Sequence, residues 1–358
     1  MNKLFYNKPT FTESTWAILA FTRFCLAFIV MIYIGHLSHF VRFSEYPMLF
    51  QEITNLGGRA AVVGFLFISG ISIGYSYYHN KGGFLKRRFL RIYPLYFFAV
   101  LFAVFLQYFI GSPYQLPGAT MVAAGNLTSL ANFLLLQGII SIDITYNGPL
   151  WSINVEFFLY LIVPLLFRLG LRFVFLVLMA SMLLFTFQES FISQMDLYGA
   201  KIAIYAWPFI LGFLISAKKQ IKYTIPFIII GIISIIYNVN LMPDKLCWLT
   251  FSVVILIVFF GMYVNIKLSD RIIMVFNFLG TISYPMYLFH IPLYFLLYYY
   301  GVRDALFFVL LVIIIVIPIN YILDDYLKKI FWKPLVNNIE KHFKNLKNKS
   351  ISIKTLKV

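Results

Sequence analysis

The sequence predicts an all-α fold, a polytopic membrane bundle of about ten transmembrane helices, on three observations. Hydrophobic residues make up 61% of the chain and charged residues 12%, with a mean hydropathy of +0.86, whereas soluble chains carry about 25% charge. Apolar runs close to the ~20 residues that cross a bilayer recur along the chain, with no long polar block to form a soluble domain. The cations gather at the ends of those runs. Of 29 Lys and Arg residues, all but Arg42, Arg59, Lys201, Lys245 and Arg303 fall on one side of a ten-span arrangement, and that side is expected to be the cytoplasm, with both termini on it.

Taken in order, span one is expected over 16–40, with Lys3, Lys8 and Arg23 flanking or entering it and no small-residue cleavage site, so it reads as a retained signal anchor. A polar loop, 41–57, leads to span two over 58–78, and span three follows at 92–110. The run 121–137 is apolar but short and broken by Gly125, Asn126 and Asn132, which predicts an interfacial or re-entrant segment. Span four starts near Leu150 and ends before Arg168. Spans five to ten are expected over 173–187, 202–215, 225–237, 248–266, 280–300 and 305–323. The chain then divides into a membrane domain, 1–327, and a basic cytoplasmic tail, 328–358, whose lysines suit anionic lipid headgroups. The net charge of +16 does not imply nucleic acid, because the cations follow membrane topology and form no patch on a soluble module. Cys25 and Cys247 both fall in apolar spans, so neither a disulfide framework nor a metal site is expected.

Three stretches carry candidate chemistry. In Lys81–Phe98, Arg88 and Arg91 are three residues apart and Arg87 and Arg91 four apart, so on a helix they share a face and can grip one anion, a polyphosphate being the natural guest. Arg91 abuts Ile92-Tyr93-Pro94, where the apolar run resumes, which places the cations at a helix mouth; a plain positive-inside loop is the competing reading. In the second stretch, 148–164, Glu156 lies about 9 Å below the outer boundary of span four, and an intramembrane carboxylate is either functional or the structural partner of an arginine. Ser152, four residues earlier, shares its face and is placed to orient it.

The third stretch is Gly35-His-Leu-Ser-His39. His36 lies about 30 Å along span one, so imidazole and carboxylate are expected to meet in the outer third as a general base held by an acid. His39, nearer the loop, reads as a solvated interfacial histidine. His290, about ten residues into span nine, is expected near mid-membrane, as a buried hydrogen-bonded histidine or a catalytic one. Ser69 and Gly70 read as a small-residue site for close helix packing. Arg23 and His36 are thirteen residues apart, about 220° on a continuous helix.

The ordered set of Arg23 and His36, Phe65 to Gly70, Arg88-x-x-Arg91-Ile-Tyr-Pro94, Leu150-Trp-Ser-x-x-x-Glu156 with Tyr160 and Pro164, and Ser283-Tyr-Pro-x-Tyr-Leu-x-His290 resembles the acyltransferase-3 family of bacterial integral-membrane O-acyltransferases. The resemblance implies transfer of an acetyl group from cytoplasmic acetyl-CoA, a substrate and not a bound cofactor, to a hydroxyl of a surface polysaccharide or lipid-linked glycan, in a bacterial inner membrane. It implies that His36 is essential and that Arg88 and Arg91 serve the donor. Arg23, Ser69, Trp151, Ser152, Tyr284 and His290 stand as supporting residues. A transporter or flippase for a lipid-linked saccharide is the reading from another class. It does not require an arginine mouth at one end and a His and Glu at the other.

Overall fold

A computed structural model describes residues 11–188, 198–217, 220–238, 242–264 and 266–342. Among the described residues six helices are long and apolar enough to cross a membrane, and four apolar helices are shorter. In chain order they are α1 (Glu13–Ile32), α2 (Gly58–His79), α3 (Phe84–Phe109), α4 (Trp151–Arg168), α5 (Leu171–Thr186), α6 (Ala206–Ser216), α7 (Ile221–Tyr237), α8 (Cys247–Tyr263), α9 (Asp270–Tyr299) and α10 (Ala305–Ile319). Among the described residues the strands are one antiparallel pair of three-residue segments, β1 (Tyr114–Leu116) and β2 (Ala119–Met121). The fold is therefore the expected all-α polytopic bundle. The end where α2 stops and α3 starts carries Arg87 and Arg88 and is called the basic end below.

Three boundaries differ from expectation. Helix α3 starts at Phe84, so Arg87, Arg88 and Arg91 lie within its first turns and not in a preceding loop. Helix α9 starts at Asp270 and runs for 30 residues; its first turns, with Asp270, Arg271 and Asn277, look like a loop in sequence. Helix α10 continues through a π-helical stretch, Asn320–Trp332, to His342, so residues on both sides of the expected tail boundary belong to one helix. Trp332 is buried there, its ring 5.4 Å from Tyr93 and 5.5 Å from Phe97, and Lys86 pairs with Glu340 at 2.5 Å. Lys344, Lys347, Lys349, Lys354 and Lys357, on which the lipid-facing expectation mostly rests, lie outside the described residues, as do Lys3 and Lys8.

The segment expected to be re-entrant contains one short helix, Asn126–Phe133, fastened to α3 by Tyr93 Oη donating to Phe133 O (3.0 Å) and Tyr96 Oη donating to Asn132 O (2.6 Å). Beyond it the backbone is irregular yet buried, with Ile144, Tyr146, Asn147 and Leu150 inaccessible and Tyr146 stacked on Phe295 at 4.4 Å. Irregular backbone at membrane depth is tolerated where protein encloses it. Consequently α4 starts already inside the bundle.

Helix α2 is the most enclosed of the six long helices. One face is made of small residues against α6: a Cβ on Gly70 would stand 2.0 Å from Phe209 O, and one on Gly212 2.3 Å from Phe67 O. Two apolar helices held this closely are joined by packing, since lipid supplies little hydrophobic drive between them. Gly70→Ala is therefore expected to push α2 and α6 apart and cost about 1–3 kcal/mol. Thermal unfolding of the purified protein checks this, and an unchanged midpoint would contradict the backbone contact.

Candidate active site

The opposite face of α2 carries Ser69, Ser72 and Ser76, which the helical repeat brings into line. Each meets a charged side chain from a different helix. Ser69 Oγ donates to Glu156 Oε1 of α4 at 2.6 Å, Arg23 Nη2 of α1 donates to Ser72 Oγ at 3.0 Å, and Arg88 Nη2 of α3 donates to Ser76 Oγ at 2.9 Å. Tyr160 Oη donates to the same Oε1 of Glu156. One carboxylate oxygen is thus doubly bonded, which leaves Oε2 free of that demand.

Of these groups Arg23, Ser69, Glu156 and Tyr160 border a cleft, whose polar wall Arg91 and Tyr284 complete. Arg91 is exposed on the wall, whereas Arg88 is half-buried beside it with its guanidinium 5.6 Å above the Phe84 ring. The buried Nε atoms of Arg23 and Arg88 meet no hydrogen-bond acceptor among the described residues. Buried guanidinium donors without acceptors are costly, and of the two arginines Arg23 lines the cleft. Arg87 does not join them: it donates to Asn80 O at 2.6 Å and to Gly82 O, tying down its own loop.

The histidines form a second group. Helix α1 ends at Ile32, Tyr33 is extended (φ −56°, ψ 135°), and a single turn, Ile34–Leu37, redirects His36. Its Nδ1 lies 3.3 Å from Val30 O and 3.5 Å from His290 Nε2, while His290 Nδ1 lies 2.8 Å from Tyr287 O. Carbonyl oxygens only accept, so Nδ1 carries the proton on both rings. His290 Nε2 then accepts from His36, and His36 Nε2 keeps its lone pair.

The expected meeting of His36 with Glu156 is not what the structure has. Glu156 bonds to Ser69, midway along the 22-residue α2. His290 lies about 30 Å along α9 from Asp270 and about 14 Å from its other end at Tyr299, and pairs with His36. Ser152 does not orient Glu156; its Oγ is 2.5 Å from Tyr287 Oη and 3.2 Å from Pro149 O. Ser69 does more than allow packing, since it solvates the carboxylate. Trp151 lies outside the cleft wall, its ring 4.9 Å from Tyr205 and 5.6 Å from Lys201 Nζ. Tyr284 is on the wall and donates to Ile92 O at 2.9 Å. His39 follows His36, its carbonyl accepting from Gly118 N at 3.2 Å. Sequence reasoning passed over Ser72 and Ser76, and gave Tyr287 no role beyond its place in the Ser283–His290 motif. The serine spacing is a readable signal once a face of α2 is assigned.

Ser69→Ala removes one of two donors to a buried carboxylate oxygen and is expected to cost about 1.5–3 kcal/mol of stability, read by denaturant titration in detergent. No change would mean that Glu156 is solvated some other way.

A family model described as an acyltransferase domain matches residues 21–324. The acyltransferase MdmB of Streptomyces mycarofaciens is 36% identical over 123 residues, which is 33% of this chain and 30% of that protein. The shared segment thus spans under a third of the relative's length. No solved structure matches the chain.

Proposed function

The chain belongs to the acyltransferase family whose domain it matches over residues 21–324, and from that premise we propose that it is a membrane O-acetyltransferase, drawing acetyl from cytoplasmic acetyl-CoA and placing it on a sugar hydroxyl of a surface polysaccharide. Lipopolysaccharide O-antigen, capsule and exopolysaccharide are the acceptor classes in view. The observation that carries this reading is the separation of two chemistries along one bundle: guanidinium groups with unspent donors at one end of a cleft, and a histidine with a free Nε2 lone pair beyond the other.

The CoA phosphates bind at Arg88 and Arg91, where charge-assisted bonds suit an anion. The thiol arm enters the cleft past Arg23 and Glu156. From the opposite end an acceptor hydroxyl reaches His36 Nε2, which takes its proton as the oxygen attacks the thioester carbonyl. The carbon–sulfur bond then breaks, the acetyl stays on the sugar oxygen, and the departing CoA thiolate recovers the proton. His290 Nε2, accepting from His36 Nδ1–H, holds the imidazole in the reactive tautomer. Glu156 acts at a distance from that step. It balances Arg23 and Arg91 and fixes Tyr160 and Ser69 along the cleft. The membrane is the bacterial inner membrane, with the basic end and both termini facing the cytoplasm, a placement supported by the distribution of cations.

His36→Ala is expected to abolish transfer in folded, inserted protein, Glu156→Gln to leave residual activity and His39→Ala to be mild; mass analysis of acetyl on surface glycans reads all three. Unchanged acyl content on every glycan when the protein is absent would remove the proposal. Arg88→Ala should weaken CoA binding by about 1.5–3 kcal/mol, and Arg88→Lys should rescue only part, because a point charge does not replace a guanidinium fork. Equal CoA affinity in both variants would reduce the arginines to a topology signal. A cysteine placed at Lys86 should be shielded from an impermeant reagent added outside the cell.

A further inference from the structure

Tyr287 is common to the two groups. Its side chain lines the donor cleft, whereas His36 and His290 do not. Its carbonyl accepts from His290 Nδ1 at 2.8 Å, and its ring centroid lies 6.0 Å from that of His290. Helix α9 therefore runs from cleft to histidines past this one aromatic ring.

The ring is also fixed. Tyr287 Oη is 2.5 Å from Ser152 Oγ and 3.1 Å from Pro149 O, and Ser152 Oγ is itself 3.2 Å from Pro149 O, so the two hydroxyls and the carbonyl close a triangle. Phe65 of α2 packs edge-on against the ring at 5.9 Å, and Tyr287 is 6% exposed. Rotating the phenol away would break both hydrogen bonds within a packed interior, where small shape changes already cost free energy.

We infer that Tyr287 is the specificity-determining partition between the donor cleft and the His36–His290 pair, and that it limits the transferred group to a short acyl chain. The inference rests on the acyl-transfer reading above and deepens it. To meet the hydroxyl held by His36, the acyl carbonyl must come to the edge of this ring, and each further methylene must share space with it. An aromatic wall of this kind discriminates by roughly 10- to 200-fold per methylene. The phenol itself takes no part in the proton transfer.

The test uses full-length protein in native membranes, with radiolabelled acetyl-, propionyl- and butyryl-CoA as donors and label incorporated into endogenous glycan as the readout. Wild-type protein should favour acetyl over propionyl by about tenfold or more, and acetyl over butyryl by about a hundredfold or more. Tyr287→Leu should raise the butyryl-to-acetyl ratio by about tenfold or more at unchanged CoA affinity, while Tyr287→Phe, which keeps the ring's bulk, should keep the acetyl preference. If Tyr287→Leu does not insert, Tyr287→Met, flexible and narrower, carries the same expectation. Incorporation by the wild type with the same ratio in the Leu or Met variant would overturn the inference alone. Absence of incorporation from all three donors in the wild type would remove the acyl-transfer reading, and the inference with it.

Discussion

A charge inside an apolar bundle must be solvated by protein, and in this structure that task falls on one face of α2. Ser69, Ser72 and Ser76 hold Glu156, Arg23 and Arg88, which arrive on three other helices. The hydroxyls are short, so α1, α3 and α4 must approach α2 closely to use them. On its other side α2 is clamped against α6 by Gly70 and Gly212, which fixes the row of serines in space. The cleft is the volume left between helices so constrained. Its polarity is set by which charges the serines satisfy fully and which guanidinium atoms they leave over.

The ten-helix plan was legible because hydropathy and charge asymmetry are properties of whole segments, insensitive to where a turn begins. Contacts between spans were less so. Glu156 was expected to meet His36, but its Oε1 accepts from Ser69 and Tyr160. The charged residues that suggested a loop before Gly280 belong to the first turns of α9, which lengthens that helix at its Asp270 end and leaves the distance from His290 to Tyr299 as expected. The partners differ from expectation: His36 meets His290, and Glu156 meets Ser69.

The break at Tyr33 is a further case. A wheel drawn through Arg23 and His36 presumes an unbroken helix, yet α1 stops at Ile32 and restarts for one turn. Arg23 therefore serves the cleft while His36 faces α9, and no angle between them on an ideal helix describes that. The arginines were expected to share a face only if the helix had already begun; it has, but the loop carbonyls of Asn80 and Gly82 claim Arg87. Such competition between nearby acceptors is a three-dimensional outcome that spacing does not encode.

The proposed function assigns this bundle a donor end and a base end, joined along α9. Its central claim is the position of the donor. Electron cryomicroscopy of the protein with CoA bound tests it most directly. The account predicts phosphate density within hydrogen-bond reach of Arg88 and Arg91 and the thiol arm extended through the cleft toward Tyr287. Phosphates bound at the end near His36, or an arm lying outside the cleft, would contradict it.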